Sequence, residues 1–194
     1  FRDLPASVTA RRGHPSAVSV GGRQRCAIQA ETGMVACWEI GDSGNSNPPD
    51  SVDGSRGTAT VVGAGTDHSC AIQKGSGAVV CWGSNGFGQR NVPVWVDGSE
   101  GTASALSVGG NHNCAIQAVT QLVVCWGGND QSQSSPPPTL GEVSDVVAGL
   151  HHSCAIDAES REVICWGADE LGESSPPVTL GAVSAISAGG EGSC

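Results

Sequence analysis

Nine cysteines and five histidines are the residues of this 194-residue chain with the most chemistry open to them. Eight cysteines fall into four pairs: Cys26/Cys37, Cys70/Cys81, Cys114/Cys125 and Cys154/Cys165. The members of each pair are 11 positions apart. Thiols spaced so regularly can oxidise to disulfides or hold a soft metal. His68, His112 and His152 each stand two residues before the first cysteine of a pair, so zinc is the rival chemistry. Ten intervening residues is not the close knuckle spacing of structural zinc sites, and the first pair has Gln24 where the others have histidine. Disulfides are therefore expected, with no metal and no cofactor. The ninth cysteine, Cys194, has no mate at this spacing within the 194 residues. The expectation is a mate eleven residues further on, with an intermolecular bridge as the alternative.

The elements that would position these thiols follow from the same spacing. If the two cysteines of a pair face each other across a hairpin, Cys70 opposes Cys81, Ala71 opposes Val80, Ile72 opposes Val79 and Gln73 opposes Ala78. The loop left over is 74–77, four residues with two glycines, which suits a tight hairpin. Ile116 then opposes Val123, and Ile156 opposes Val163. Strand parity puts Cys and Ile on one face, Ala and Trp on the other. Two apolar faces are expected of a sheet sandwiched between neighbours. A bridge closing so short a loop contributes about 3 kcal/mol in the chain-entropy model, and disulfides imply an oxidising compartment.

The hairpins recur. First cysteines at 26, 70, 114, 154 and 194 are separated by steps of 44, 44, 40 and 40. Each unit opens with a short apolar strand ending in glycine, as in Ala17-Val-Ser-Val-Gly-Gly22 and Ala105-Leu-Ser-Val-Gly-Gly110. The spacing predicts a single domain over 1–194, with units near 15–57, 58–101, 102–141 and 142–181 and the start of another at 182–194. A fourth strand is expected in the linkers, for example at Val92-Pro-Val-Trp-Val96. A period of about 40 residues with several short strands suits a propeller blade or a similar sheet repeat.

Composition narrows the function. Tyrosine is absent, phenylalanine occurs twice, and Val, Ile, Ala and Leu with five Trp must build the core. The net charge of −10 opposes phosphate backbones, so no nucleic-acid partner is expected. No run of apolar residues is long enough to span a bilayer. Gly-x-Ser-x-Gly, phosphate-loop and His-Glu-x-x-His motifs are missing from the sequence, so no enzyme is expected.

The segments Val62-Gly-Ala-Gly-Thr-Asp-His-Ser-Cys-Ala-Ile72 and Val80-Cys-Trp-Gly-Ser-Asn-Gly-Phe-Gly-Gln89 resemble the regulator-of-chromosome-condensation repeat. The likeness recurs along nearly the whole chain. It implies an all-β propeller of four-stranded blades, commonly seven in the family, of which this chain would supply about four to five. The nuclear founder of that family binds histones and DNA and promotes nucleotide exchange on a small GTPase. Net acidity, paired cysteines and short linkers depart from that pattern. They look more like secreted relatives whose propeller-face loops bind a protein partner.

Several residues are candidates for more than folding. His68, His112 and His152 sit at one position in successive units, too far apart for one small ion away from an axis. They are expected to be structural and to hydrogen-bond backbone in each unit. Trp38, Trp82, Trp126 and Trp166 follow the second cysteines and are expected to pack between units. Trp95 has no counterpart and is a candidate contact residue. The linkers Asn47-Pro-Pro49, Ser134-Ser-Pro-Pro-Pro138 and Ser174-Ser-Pro-Pro177 read as stiff connectors. Their Pro48, Pro49, Pro136, Pro137, Pro138, Pro176 and Pro177 are candidates for hydroxylation and O-linked glycans, while no Asn-x-Ser/Thr acceptor exists. The leading expectation is a non-enzymatic structural component of an extracellular or cell-surface assembly, self-associating or bound to other extracellular proteins. The alternative is a secreted recognition module for a protein or glycan.

Overall fold

A computed structural model describes residues 14–39, 46–177, 179–190 and 192. Twelve strands in these residues form four three-stranded sheets, each an antiparallel meander in chain order. The first is β1 Pro15–Val20, β2 Gln24–Gln29 and β3 Val35–Glu39. The second is β4 Ala59–Ala64, β5 His68–Gln73 and β6 Val79–Gly83. The third is β7 Ala103–Val108, β8 His112–Gln117 and β9 Val123–Gly127. The fourth is β10 Val143–Ala148, β11 His152–Asp157 and β12 Val163–Gly167. Cys194 lies outside the described residues.

The hairpin register is the one the cysteine spacing dictates. Cys70 faces Cys81, Ala71 faces Val80 and Ile72 faces Val79, and the other units repeat this. Disulfides join Cys26–Cys37, Cys70–Cys81, Cys114–Cys125 and Cys154–Cys165 across Cα separations of 4.0–4.1 Å.

The sheets stack so that the Cys–Ile face of one unit meets the Ala–Trp face of the next. Cys26, Ile28 and Val35 share a core with Ala71, Val62 and Trp82. Cys70, Ile72 and Val79 pack with Ala115 and Trp126, and Cys114 and Ile116 with Ala155, Val146 and Trp166. Each core therefore lies between units, which is how a chain poor in large aromatics excludes water. Backbone bonds cross the same junctions at the strand ends: Gly22 N–H to Gly65 O, Thr66 to Gly110, Gly110 to Gly149, and Leu150 to Gly190, all 3.0–3.1 Å.

Among the described residues, no fourth strand forms in the linkers. Instead, a turn follows the prolines: the amides of Val52, Val96, Leu140 and Leu180 donate to the carbonyls of Pro49, Pro93, Pro137 and Pro177. Val52 and Val96 are then fully buried, and their carbonyls accept from Val35 and Val79 at the hairpin edge. Proline fixes φ for the turn, and in the first two units a single edge bond does the work assigned to a strand. The steps of 44 and 40 also find their cause here. Residues 53–57 and 97–101 form Asp-Gly-Ser loops that the shorter units lack. Asp53 and Asp97 carboxylates accept from the amides of Ser55 and Ser99, both at 2.8 Å.

Candidate functional site

Three features could support function: a cavity where the strand ends converge, the outward face of the fourth unit, and the turn carrying Trp95. The first is a space of about 330 Å³ lined by 20–22, 64–66, 108–110, 148–150 and 188–190. Its walls are glycine, alanine, valine, threonine and leucine, so it brings no acid, base or nucleophile into it.

The second is an apolar cavity of about 540 Å³ beside Cys154, Val163 and Cys165, with Leu171, Leu180 and Ile186 among its walls. Glu173 is the acidic residue at its edge. No cluster of His, Cys, Asp or Glu among the described residues could hold a metal ion.

The third is the Pro93 turn. Trp95 stands where Ser51, Thr139 and Thr179 stand in the other units, and Val94 where Asp50 and Pro138 stand. Trp95 is 52 % exposed and Val94 42 %. Valine also stands at 178, the equivalent of Val94 in the fourth unit, so the departure lies at Trp95: a large apolar side chain faces water where the other units carry Ser or Thr. The 97–101 loop holds the turn from below, through Gly98 N–H to Gly101 O and Glu100 N–H to Val94 O.

The other tryptophans are structural. Trp82, Trp126 and Trp166 are buried at junctions, and Trp38 is half-buried on the first unit. The indoles of Trp126 and Trp166 donate to the main-chain carbonyls of Gln89 and Gln133 in the preceding unit, at 3.0 and 2.9 Å. Gln89 and Gln133 are themselves buried, and their side chains accept from the amides of Phe87 and Gln131. Sequence reasoning missed both glutamines. Among the candidate prolines, Pro138 and Pro177 are exposed, and Pro48, Pro49, Pro136, Pro137 and Pro176 are half-buried.

The histidines are buried, but their side chains do not serve their own unit's backbone. His68 Nε2 lies 2.8 Å from Asn113 Oδ1, and His112 Nε2 lies 2.8 Å from Ser153 Oγ, each in the next unit. Gln24 holds the same place in the first unit and accepts from Ser69 Oγ. Burial pushes all three imidazoles below their usual range, and His112, which also faces His68, His152 and His151, falls to about 4.

Residues 60–89 match the family profile described as the regulator of chromosome condensation (RCC1) repeat. This stretch of the second unit is similar to an RCC1 repeat. The other three units share its disulfide register and its unit-to-unit packing. Solved β-propeller structures share the fold of the arc. The ectodomain of the receptor kinase CR4 from Physcomitrella patens aligns at TM-score 0.71 and 23 % identity, over 91 % of this chain and 46 % of that one. The ectodomain of the Arabidopsis thaliana receptor kinase ACR4 aligns at 0.68 and 23 %, over 92 % and 57 %. Prp20p from Saccharomyces cerevisiae, a protein with binding properties to Gsp1p and histones, aligns at 0.71 and 18 %, over 98 % and 56 %. The chain spans about half the length of these propellers. No curated protein sequence matches it. Among the described residues no helix is long and apolar enough to cross a membrane.

Proposed function

We propose that the chain is part of an extracytoplasmic, non-enzymatic recognition module that presents loops of a rigid propeller arc to a protein or glycan partner. The observation that carries this reading is the Val94–Trp95 turn. An indole held by a hydrogen-bonded loop on a disulfide-braced sheet loses little entropy on docking, and Trp is enriched where binding energy concentrates. Four disulfides fit an oxidising compartment, and two of the similar propellers are receptor ectodomains. The charge of −10 favours protein or glycan over nucleic acid. The test is a screen of the intact chain on a glycan array and against purified extracellular proteins by surface plasmon resonance. A ligand whose Kd rises at least tenfold with Trp95→Ala supports the reading. Ligands indifferent to Trp95, or none at all, overturn it.

A second reading, a self-associating block of an extracellular fibre, coat or matrix, is favoured by the first unit. Val18 and Val20 are 57 % and 65 % exposed, whereas Val62 and Ala64, at the same positions in the second unit, are 9 % and 5 % exposed. Sedimentation showing concentration-dependent assembly that Val20→Asp abolishes would support it, and a monomer at all concentrations would remove it. Of the prolines, Pro138 and Pro177 are best placed for O-glycosylation, which an intact mass above that of the bare sequence would register.

A further inference from the structure

His68, His112 and His152 form a buried row across successive junctions, 0 %, 0 % and 1 % exposed. The protonation of two of them follows from their partners. Asn113 Nδ2 donates to Gln89 O at 2.9 Å, which turns Oδ1 toward His68, so His68 Nε2–H is the donor. Ser153 Oγ donates to Gln133 O at 3.0 Å, so its oxygen accepts from His112 Nε2–H. Both Nδ1 atoms are buried without a partner, so the neutral ring protonated on Nε2 is the form that fits both sites. A second proton would have to go onto Nδ1, where no acceptor meets it. The rings also have little room to turn away. A Cβ on Gly65 or Gly109 would lie 2.5 Å from a ring carbon of His68 or His112, and one on Gly149 would lie 2.2 Å from that of His152.

The charged and titratable groups facing the row are few. Asp67 lies near His68, and Glu173 and His151 lie near His152. His112, in the middle, is faced by His68, His152 and His151, with no carboxylate to balance a charge. Each added proton therefore opposes the next.

We propose that this row is an acid-sensitive latch: neutral, His68 ties the second unit to the third and His112 the third to the fourth, while His152 Nε2 is buried without a partner; protonated, the row parts the units at these junctions while each disulfide-closed hairpin persists. Burial favours the neutral form of each ring, so the unfolded or parted state takes up protons more readily than the closed one. The latch is fully closed above about pH 6.5 and weakens as pH falls from there toward about 4, the value for His112. The first junction is a built-in control, because Gln24 makes the equivalent bond to Ser69 and cannot take up a proton.

The test compares the intact chain with the variant H68Q/H112Q/H152Q between pH 8 and pH 4.5. Junction opening is read by the fluorescence of the buried Trp82, Trp126 and Trp166, and hairpin content by far-ultraviolet circular dichroism. In the unaltered chain the thermal midpoint is expected to fall by on the order of 10 °C between pH 7.5 and pH 5, with a red-shifted emission and a retained β signal. The glutamine variant is expected to stay flat over the same range. Parallel pH profiles for the two proteins, or a β signal lost together with the fluorescence change, would overturn the latch. Should the triple variant fail to fold, H112Q alone is expected to remove the largest share of the drop, and an unchanged drop in H112Q counts against the proposal.

Discussion

The Cys–Ile face of the second unit and that of the fourth have nearly the same residues but different cover. On the second unit, Cys70, Ile72 and Val79 lie under Ala115 and Trp126, and Trp126 is 6 % exposed. On the fourth, Cys154, Val163 and Cys165 border a cavity of about 540 Å³, closed in part by Val183, Ala185 and Ile186. Turn residues follow suit: Val96 is 0 % exposed and its counterpart Leu180 is 47 % exposed. A unit is thus not a domain in miniature. Roughly half of its core belongs to its successor, as in other repeat arrays where stability resides in neighbour contacts.

The largest effect expected from this contrast is at the tryptophans. Trp126→Ala should cost about 3–5 kcal/mol in urea unfolding, because it empties a sealed junction. Trp38→Ala, on a half-buried residue at the outer face of the first unit, should cost well under half of that. Equal costs would mean that the junction is not what holds the units.

Next come the disulfides. Cys114→Ser/Cys125→Ser should cost about 3 kcal/mol in the same assay. Under limiting reductant, alkylation and mass mapping should find Cys154 and Cys165 labelled first, since only their bridge borders the large cavity. Labelling of Cys70 and Cys81 before them would contradict the contrast. Gly65→Ala should cost roughly 1–3 kcal/mol, since its Cβ would meet the His68 ring and Gly109 O at 2.5 Å. Gly190→Ala, with nothing within 4 Å, should change stability by less than about 0.5 kcal/mol. The smallest effect is at Trp95. Trp95→Ala should shift stability by under about 0.5 kcal/mol, as expected of a side chain that meets solvent rather than core.

Much of the scaffold was legible because it obeys local arithmetic. An interval of 11 between cysteines and a parity of two set the register, the disulfides and the two apolar faces. Sandwiching of Trp82, Trp126 and Trp166 followed from those faces. What escaped prediction depends on partners about 40 residues away. Asn113 and Ser153 look like ordinary polar residues before a cysteine, and nothing local reveals that they receive a histidine from the preceding unit. Gln89 and Gln133 act through main-chain carbonyls, which carry no side-chain signature. The supposed strand at Val92–Val96 failed for a physical reason: Pro93 favours a turn, and the valine pattern that suggested a strand serves one buried anchor, Val96. Trp95 was visible as an oddity, but only its place among Ser51, Thr139 and Thr179 shows that it replaces a small hydroxyl residue at the turn apex.

The Asp-Gly-Ser loops at 53–57 and 97–101 carry one more implication. They enter after the buried turn anchor and before the next strand, so four extra residues leave every strand pairing and every junction in phase. The forty-residue spacing keeps the same three strands, and the longer units add a loop held out to solvent. The stretch between Leu140 and Val143 is therefore a natural graft point, where foreign peptide could be spliced in without disturbing the stack.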